Sequence, residues 1–237
     1  MGVGRGNITT NIIKNGLILN IDPANRASTV PSTSTTETFN TLNLAESGSF
    51  INDTMYDSST TTPSYALDGV GDSIDTSMYF GVPPIDRYNK DTFTVSIWIK
   101  VDDSKLSDWQ YYTPISALTN GGTGLSTRKY GNSTGYVVIS GDTFGSTQLD
   151  NGNWRNLVGV FNSSNDNWKI HIDGNSTPEI NQTLPSWQFF NKNIKIGQNG
   201  GDANYFPGNI GPVQYYNRIL SPSEILHNYN ALKGRFE

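Results

Sequence analysis

The chain has 237 residues, 35% of them hydrophobic and 16% charged, with 24 glycines, no cysteine and a formal net charge of −5. That length suits one large domain, which buries about 70% of the surface its unfolded chain exposes and so folds without a metal or a disulfide. The missing cysteines exclude thiolate zinc sites and a disulfide framework. The acidic balance, with no cluster of Lys and Arg, excludes the phosphate-neutralising face that nucleic-acid binding requires.

The first residues, MGVGRGNITTNIIKNG, lack the apolar core of a signal peptide, and no apolar run is long enough to span a membrane. The chain therefore reads as a protein made in the cytosol, with no membrane partner. Residues 1–15, Gly-rich and poor in apolar side chains, read as an attachment arm, and residues 16–237 as one domain. Asn-x-Ser/Thr triplets at Asn7, Asn52, Asn132, Asn162, Asn175 and Asn181 read as chance in a chain this rich in Asn, Ser and Thr.

Gly16-Leu-Ile-Leu-Asn-Ile-Asp22 reads as a strand stopped by Pro23, and Ser28–Thr38 as an irregular surface excursion. Ser64-Tyr-Ala-Leu-Asp-Gly-Val70 is a strand running into an Asp-Gly turn. The strongest signal is Phe93–Val101. Phe93, Val95, Ile97, Ile99 and Val101 alternate with Thr94, Ser96, Trp98 and Lys100, which places one face on a core. Trp98 lies on the other face, where it either is covered or lines a groove. Further strands are read at Gly135–Ser140, Trp154–Phe161, Trp168–Gly174, 193–197 and 209–216, with Pro212 at an edge or bulge because it cannot donate to a ladder. Their close spacing suits antiparallel sheets and leaves no room for helical crossovers.

The last element is a helix over Ser221–Lys233. Ser221 is its N-cap, Pro222 takes N1, and Glu224 at N3 completes a capping box. Leu220 and Ile225 staple the start. Ile225, Leu226, Tyr229 and Leu232 form the apolar stripe, and Gly234 stops the helix.

Several of these runs together are similar to a known family. Asp68-Gly-Val-Gly-Asp72, Phe93-Thr-Val-Ser-Ile-Trp-Ile-Lys100, Trp154-Arg-Asn-Leu-Val-Gly-Val-Phe161, Trp168-Lys-Ile-His-Ile-Asp-Gly174 and Phe206–Ile225 follow the order seen in concanavalin A-like, laminin-G-like domains. The resemblance implies an antiparallel two-sheet β-sandwich, a concanavalin A-like jelly roll, with a short C-terminal helix. Two positions depart from the pattern. Arg155-Asn156 replaces the family's paired histidines, and Gly211-Pro212 replaces an acidic residue, which puts any ligand or calcium role of those positions in doubt.

A narrower resemblance lies at the two ends. Gly16–Asp22 with His227-Asn-Tyr-Asn-Ala-Leu-Lys-Gly-Arg-Phe236 looks like stand-alone domains in tailed-phage structural proteins. It implies a non-enzymatic component of the virion surface, a capsid decoration or a head or tail fibre, assembled in the host cytoplasm. Other virion proteins, a homo-oligomer and surface glycans would be its partners. The rival readings are a carbohydrate-binding module of a bacterial surface or secreted protein, and a glycoside hydrolase.

The hydrolase reading can be tested on residues. Retaining hydrolysis needs two carboxyls about 5–5.5 Å apart, which alternate positions of one strand supply. The five glutamates, Glu37, Glu46, Glu179, Glu224 and Glu237, nowhere pair at such spacing, so no catalytic residue is assigned. His171 and His227 read as surface residues. Neither a nucleophile elbow nor a phosphate loop is present, and Gly121-Gly-Thr-Gly124 is only a loop. Asp22, Asp68 and Asp72 could supply hard oxygen ligands to calcium, but Asp-Gly usually marks a turn, so neither metal nor cofactor is expected.

Two loop clusters could bind sugar, since aromatic rings stack on apolar sugar faces while amides and carboxylates bond to hydroxyls. One is Trp109-Gln-Tyr-Tyr112, giving Trp109, Tyr111 and Tyr112. The other is Asn199–Tyr205, giving Asn199, Asp202, Asn204 and Tyr205. The same aromatics could instead pack loops onto the sandwich or fill a subunit interface.

Overall fold

The alternating run at Phe93–Val101 becomes the centre of the molecule. In a computed structural model, residues 11–29, 35–58, 62–79, 92–108, 110–116, 124–130, 133–139, 143–149, 151–162, 164–165, 167–183, 193–199 and 204–237 are described. Residues 1–10 of the expected arm, and 121–123 of the glycine loop, lie outside them. The described strands are β1 (Leu17–Ile21), β2 (Glu37–Asn40), β3 (Asn43–Ile51), β4 (Met55–Asp57), β5 (Ser64–Asp68), β6 (Ser73–Tyr79), β7 (Thr92–Val101), β8 (Tyr111–Ser116), β9 (Gly124–Tyr130), β10 (Ser133–Ile139), β11 (Thr143–Phe144), β12 (Arg155–Asn162), β13 (Asn167–Ile172), β14 (Ile180–Thr183), β15 (Asn193–Ile196) and β16 (Pro207–Tyr216). Helix α1 (Pro222–Leu232) follows.

All described pairings are antiparallel. One sheet runs β14-β13-β12-β7-β16-β5-β4, with β1 on the far half of β16, and the other runs β11-β10-β9-β8-β15-β6-β3-β2. Their inner faces share one core, in which Ile97, Ile99, Phe161, Ile170 and Ile210 of the first sheet meet Ile74, Ile115, Leu125 and Ile196 of the second. Phe93 is its aromatic hub, stacking on Tyr215 at 5.1 Å and meeting Trp168 edge-on at 5.5 Å. This is the two-sheet sandwich that the family resemblance implies, with the antiparallel pairing that the close strand spacing suits.

Pro212 sits where it does no harm. The β16–β7 ladder shifts register between Ile210 and Val213, so Gly211-Pro212 forms a bulge in a central strand.

The outer face of the first sheet is also sealed, by α1 and residues 11–17. Val158, Val160 and Tyr216 pack there against Leu220 and Ile225, and Trp98 packs with Ile12 and Leu232. Asn228, on the helix's inner face, accepts the Ile13 N–H at 2.8 Å through Oδ1 and donates to Tyr216 Oη at 2.9 Å through Nδ2. Tyr216 Oη in turn donates to the Ile13 carbonyl at 3.0 Å. Residues 11–15 of the expected arm are therefore bound to the sandwich.

The capping box and the Leu220–Ile225 staple are present as expected. Two details differ. Leu226 is 42% exposed while Asn228 is buried, because Asn228 bonds to the N-terminal segment at Ile13 and to the Tyr216 hydroxyl. The helix also ends by tightening into a 3₁₀ turn over Lys233–Arg235, not at a left-handed Gly234.

Glu224 carries a pH consequence. It caps Ser221 and receives both guanidinium nitrogens of Arg218, at 2.7 and 2.9 Å. The Arg218 hydrogen bonds hold its carboxyl down to about 2, from an ordinary 4.5. A depressed folded value means the contribution is complete above about 4.5 and is lost as pH falls through about 2. Acid titration of helix content should therefore show a limb in that window, and Glu224→Gln should abolish it.

Ser28–Thr38 is not a surface excursion at its ends. Ser28, Thr29 and Thr38 are buried, and the two threonine hydroxyls lie 2.5 and 2.6 Å from the buried Tyr65 hydroxyl. A phenol inside the sandwich needs partners, and these supply them.

Candidate binding site

Sugar-binding candidates were expected on two loops far apart in sequence, and the fold brings those loops together. β8 begins at Tyr111 and pairs with β9 through Tyr111↔Arg128 and Tyr112↔Thr127, so successive tyrosines face opposite sides of the second sheet. Tyr112 points into the core and is 6% exposed. Its hydroxyl accepts the Ser107 N–H at 2.5 Å, which pins the preceding loop. Tyr112 is therefore a packing residue, and its expected binding role is corrected: inward register leaves no free ring face. Tyr111, on the outer side, stays half-buried.

The second cluster lies against this strand. Gly197 N–H donates to the Pro114 carbonyl at 2.9 Å, Ser116 Oγ to the Gln198 carbonyl at 2.9 Å, and Phe206 N–H to the Gly197 carbonyl at 2.8 Å. Phe206 is fully buried and anchors the segment. Asn204 takes a left-handed backbone, φ 55°, which turns its carbonyl to accept the Thr113 N–H at 2.9 Å. Its Oδ1 accepts from Gln110 Nε2 at 3.2 Å, joining side chains 94 residues apart. Tyr205 follows Asn204 directly in the chain and, like Asn199, is half-buried. Trp109 and Asp202 lie outside the described residues.

The result is a polar junction of Gln110 and Asn204 between two partly exposed phenol rings, Tyr111 and Tyr205. Amides offer both donors and acceptors, and the rings offer flat apolar surface, which together fit a polyhydroxylated ligand. The sequence reading had both runs in hand. What it missed was that Tyr112 is spent on the core and that Gln110–Asn204 forms the bridge.

The other candidate residues hold structure. Asp22 is committed to a two-pronged ion pair with Arg235, at 2.7 and 2.9 Å. Asp72 accepts the Asp68 and Asp53 N–H groups at 2.8 and 3.2 Å, closing two adjacent turns. Burial, together with the neighbouring Asp68 and Asp53 charges, raises its carboxyl above the usual range. Among the described residues, no three His, Asp or Glu side chains converge as a metal site would require.

Glu46 accepts from Asn40 and Asn43 at 2.6 and 3.1 Å, while Glu179 accepts the Thr147 N–H at 2.5 Å. His171 is not on the surface as expected. It is 2% exposed, lies opposite Val158 on the face that α1 covers, and burial lowers its pKa. Its Nδ1 sits 2.8 Å from the Asn175 carbonyl. The two residues that replace the family's paired histidines are also structural. Arg155 pairs with Asp173 at 2.7 Å, and buried Asn156 donates to Ser96 Oγ at 3.1 Å.

Comparison with known proteins agrees with this architecture. In fold the chain is similar to Trypanosoma rangeli sialidase in complex with sialic acid, with a TM-score of 0.63 and 15% identity over 92% of this chain and 33% of that one. It is also similar to the binding domain of botulinum neurotoxin serotype D, with a TM-score of 0.61 and 16% identity over 92% of this chain and 52% of that one. A third match is the botulinum neurotoxin DC binding domain in complex with rat synaptotagmin II, with a TM-score of 0.63 and 13% identity over the same shares. The chain thus spans a third to a half of these proteins, and at such identities the likeness concerns the fold alone. No curated protein matches it in sequence. A family model described as the concanavalin A-like lectin/glucanases superfamily matches residues 72–226, more than half of the chain. By fold, strand order and family match, the chain belongs to the concanavalin A-like lectin/glucanase superfamily.

Proposed function

We propose that this is a non-enzymatic recognition domain that displays a glycan-binding site at the junction of residues 110–112 and 204–205, as a structural component of a tailed-phage virion. The observation that carries the binding reading is the convergence of Gln110, Tyr111, Asn204 and Tyr205 from two distant loops. Three of the five glutamates are engaged locally: Glu46 with Asn40, Glu179 with Thr147 and Glu224 with Arg218. The phage reading rests on the two end motifs. Its support is that they interlock: Asp22 of the first accepts both terminal guanidinium nitrogens of Arg235 of the second, at 2.7 and 2.9 Å.

On a glycan array the intact chain should bind a restricted set of glycans. Tyr111→Ala and Tyr205→Ala should each weaken binding about fivefold, since one stacked ring is worth about 1 kcal/mol. Both should keep stability within about 1 kcal/mol of the parent, as expected for half-buried side chains. Unchanged binding in both variants would sink the site. Mass spectrometry of purified particles tests the virion reading. Recovery from a bacterial surface instead would move the domain to a carbohydrate-binding module with the same loop site.

A further inference from the structure

Beyond that loop site, the segment following α1 lies in a site with the anatomy of a peptide receptor. Arg235 places Nη1 and Nη2 on the two oxygens of Asp22, at 2.9 and 2.7 Å. Its carbonyl accepts the Thr62 hydroxyl proton at 2.5 Å. The Phe236 ring stacks on Trp98 at 4.1 Å and 14°, and meets Trp154 at 5.0 Å and 59°. The Arg235 guanidinium lies 5.4 Å from the Phe236 ring centroid, so the two side chains bind as one folded unit.

The slot is shaped for a ring. A Cβ on Gly211 would stand 3.2 Å from the Phe236 ring and 3.1 Å from Trp98, so glycine there leaves the opening. Among the described residues, one buried donor on this face, Trp98 Nε1, has no acceptor. Charge, backbone and ring are thus read by separate groups: Asp22, Thr62 and the Trp98–Trp154 pair. None of them belongs to the loop site.

We propose that this slot is a docking site for an Arg-Phe peptide element, filled here by residues 235–236 of the same chain, and that a second copy supplies the same element in assemblies. The second copy follows from complementarity. Every copy carries both the acidic, aromatic receptor and its basic, aromatic ligand. The link between them is the single 3₁₀ turn Lys233–Arg235, closed by Phe236 N–H on the Lys233 carbonyl at 2.8 Å. Opening that turn lets two copies exchange the element with every receptor contact reproduced, the economy of swapped dimers.

The test uses the full chain carrying Arg235→Ala and Phe236→Ala, and a labelled synthetic peptide of residues 231–237. Fluorescence anisotropy should show saturable binding to this variant, and the peptide should raise its Tm. Adding Asp22→Asn should weaken binding at least about tenfold, because a charge-assisted pair is lost. Mixing the double variant with an otherwise intact Asp22→Asn chain should give a heterodimer by light scattering. A folded double variant that ignores the peptide, or binds it equally well without Asp22, overturns the receptor; mixtures that stay monomeric overturn the exchange. If the double variant does not fold, Phe236→Leu keeps the slot filled with apolar volume, and failure of the peptide to displace that leucine overturns the proposal equally.

Discussion

Gly208→Ala should leave no stably folded protein. Gly208 sits in β16 between two ladders, opposite Leu67 of β5 and Val101 of β7. Its φ is +138°, and a Cβ there would stand 2.1 Å from the Lys100 carbonyl oxygen and 3.1 Å from the Asp102 N–H nitrogen. The obstacle is backbone on the central strand, which cannot rotate aside as a side chain could. Relief requires separating β16 from β7, so the cost should reach about 4 kcal/mol or more, most of the stability of an ordinary domain. Gly152→Ala is the matched control. It also has positive φ, 70°, but a Cβ there meets nothing within 4 Å. It should lose only about 1 kcal/mol, the left-handed cost alone. Urea unfolding followed by tryptophan fluorescence separates the two outcomes.

Trp98→Ala should be the most damaging side-chain truncation on the outer face. Trp98 is 3% exposed and carries Tyr229 at 5.5 Å and Phe236 at 4.1 Å on its indole. Removing a buried aromatic of this size costs about 3–5 kcal/mol. The loss should be local before it is global, because Trp98, Ile12 and Leu232 form their own small cluster apart from the inter-sheet core. Trypsin should therefore cut first at Lys233 or Arg235 in the variant, at urea concentrations where the sandwich persists. Trp98→Phe, which keeps a ring under Phe236, should lose less than half as much. Equal proteolysis of the variant and the parent would show that the cluster does not hold the segment.

Much of the sandwich was legible because its central strands are strongly patterned. Phe93–Val101, Trp154–Phe161 and Trp168–Ile172 alternate or run apolar, and all three fall in adjacent ladders as β7, β12 and β13. Most of β2, β3, β4, β6, β8, β9 and β14 escaped the sequence reading. β3 reads Asn-Leu-Ala-Glu-Ser-Gly-Ser-Phe-Ile, and only partners on either side make such a polar run a strand. The candidate site divides in the same way. Tyr111, Tyr205 and Asn199 were marked as chemically suitable, but adjacent tyrosines look alike in sequence, and register alone sent Tyr112 inward.

The sequence by itself determined a cysteine-free all-β domain with a capped closing helix, because alternation, turn residues and capping are local properties of the chain. Tertiary structure decided everything that depends on two distant segments meeting. The pairing of β1 with β16 let residues 11–15 dock under α1, and burial of Trp98 waited on Phe236. Gln110 met Asn204 only after β8 and the 204–206 segment were brought alongside. Such contacts leave no periodic trace in the chain, since each partner is ordinary in its own neighbourhood and acquires its role only from the other.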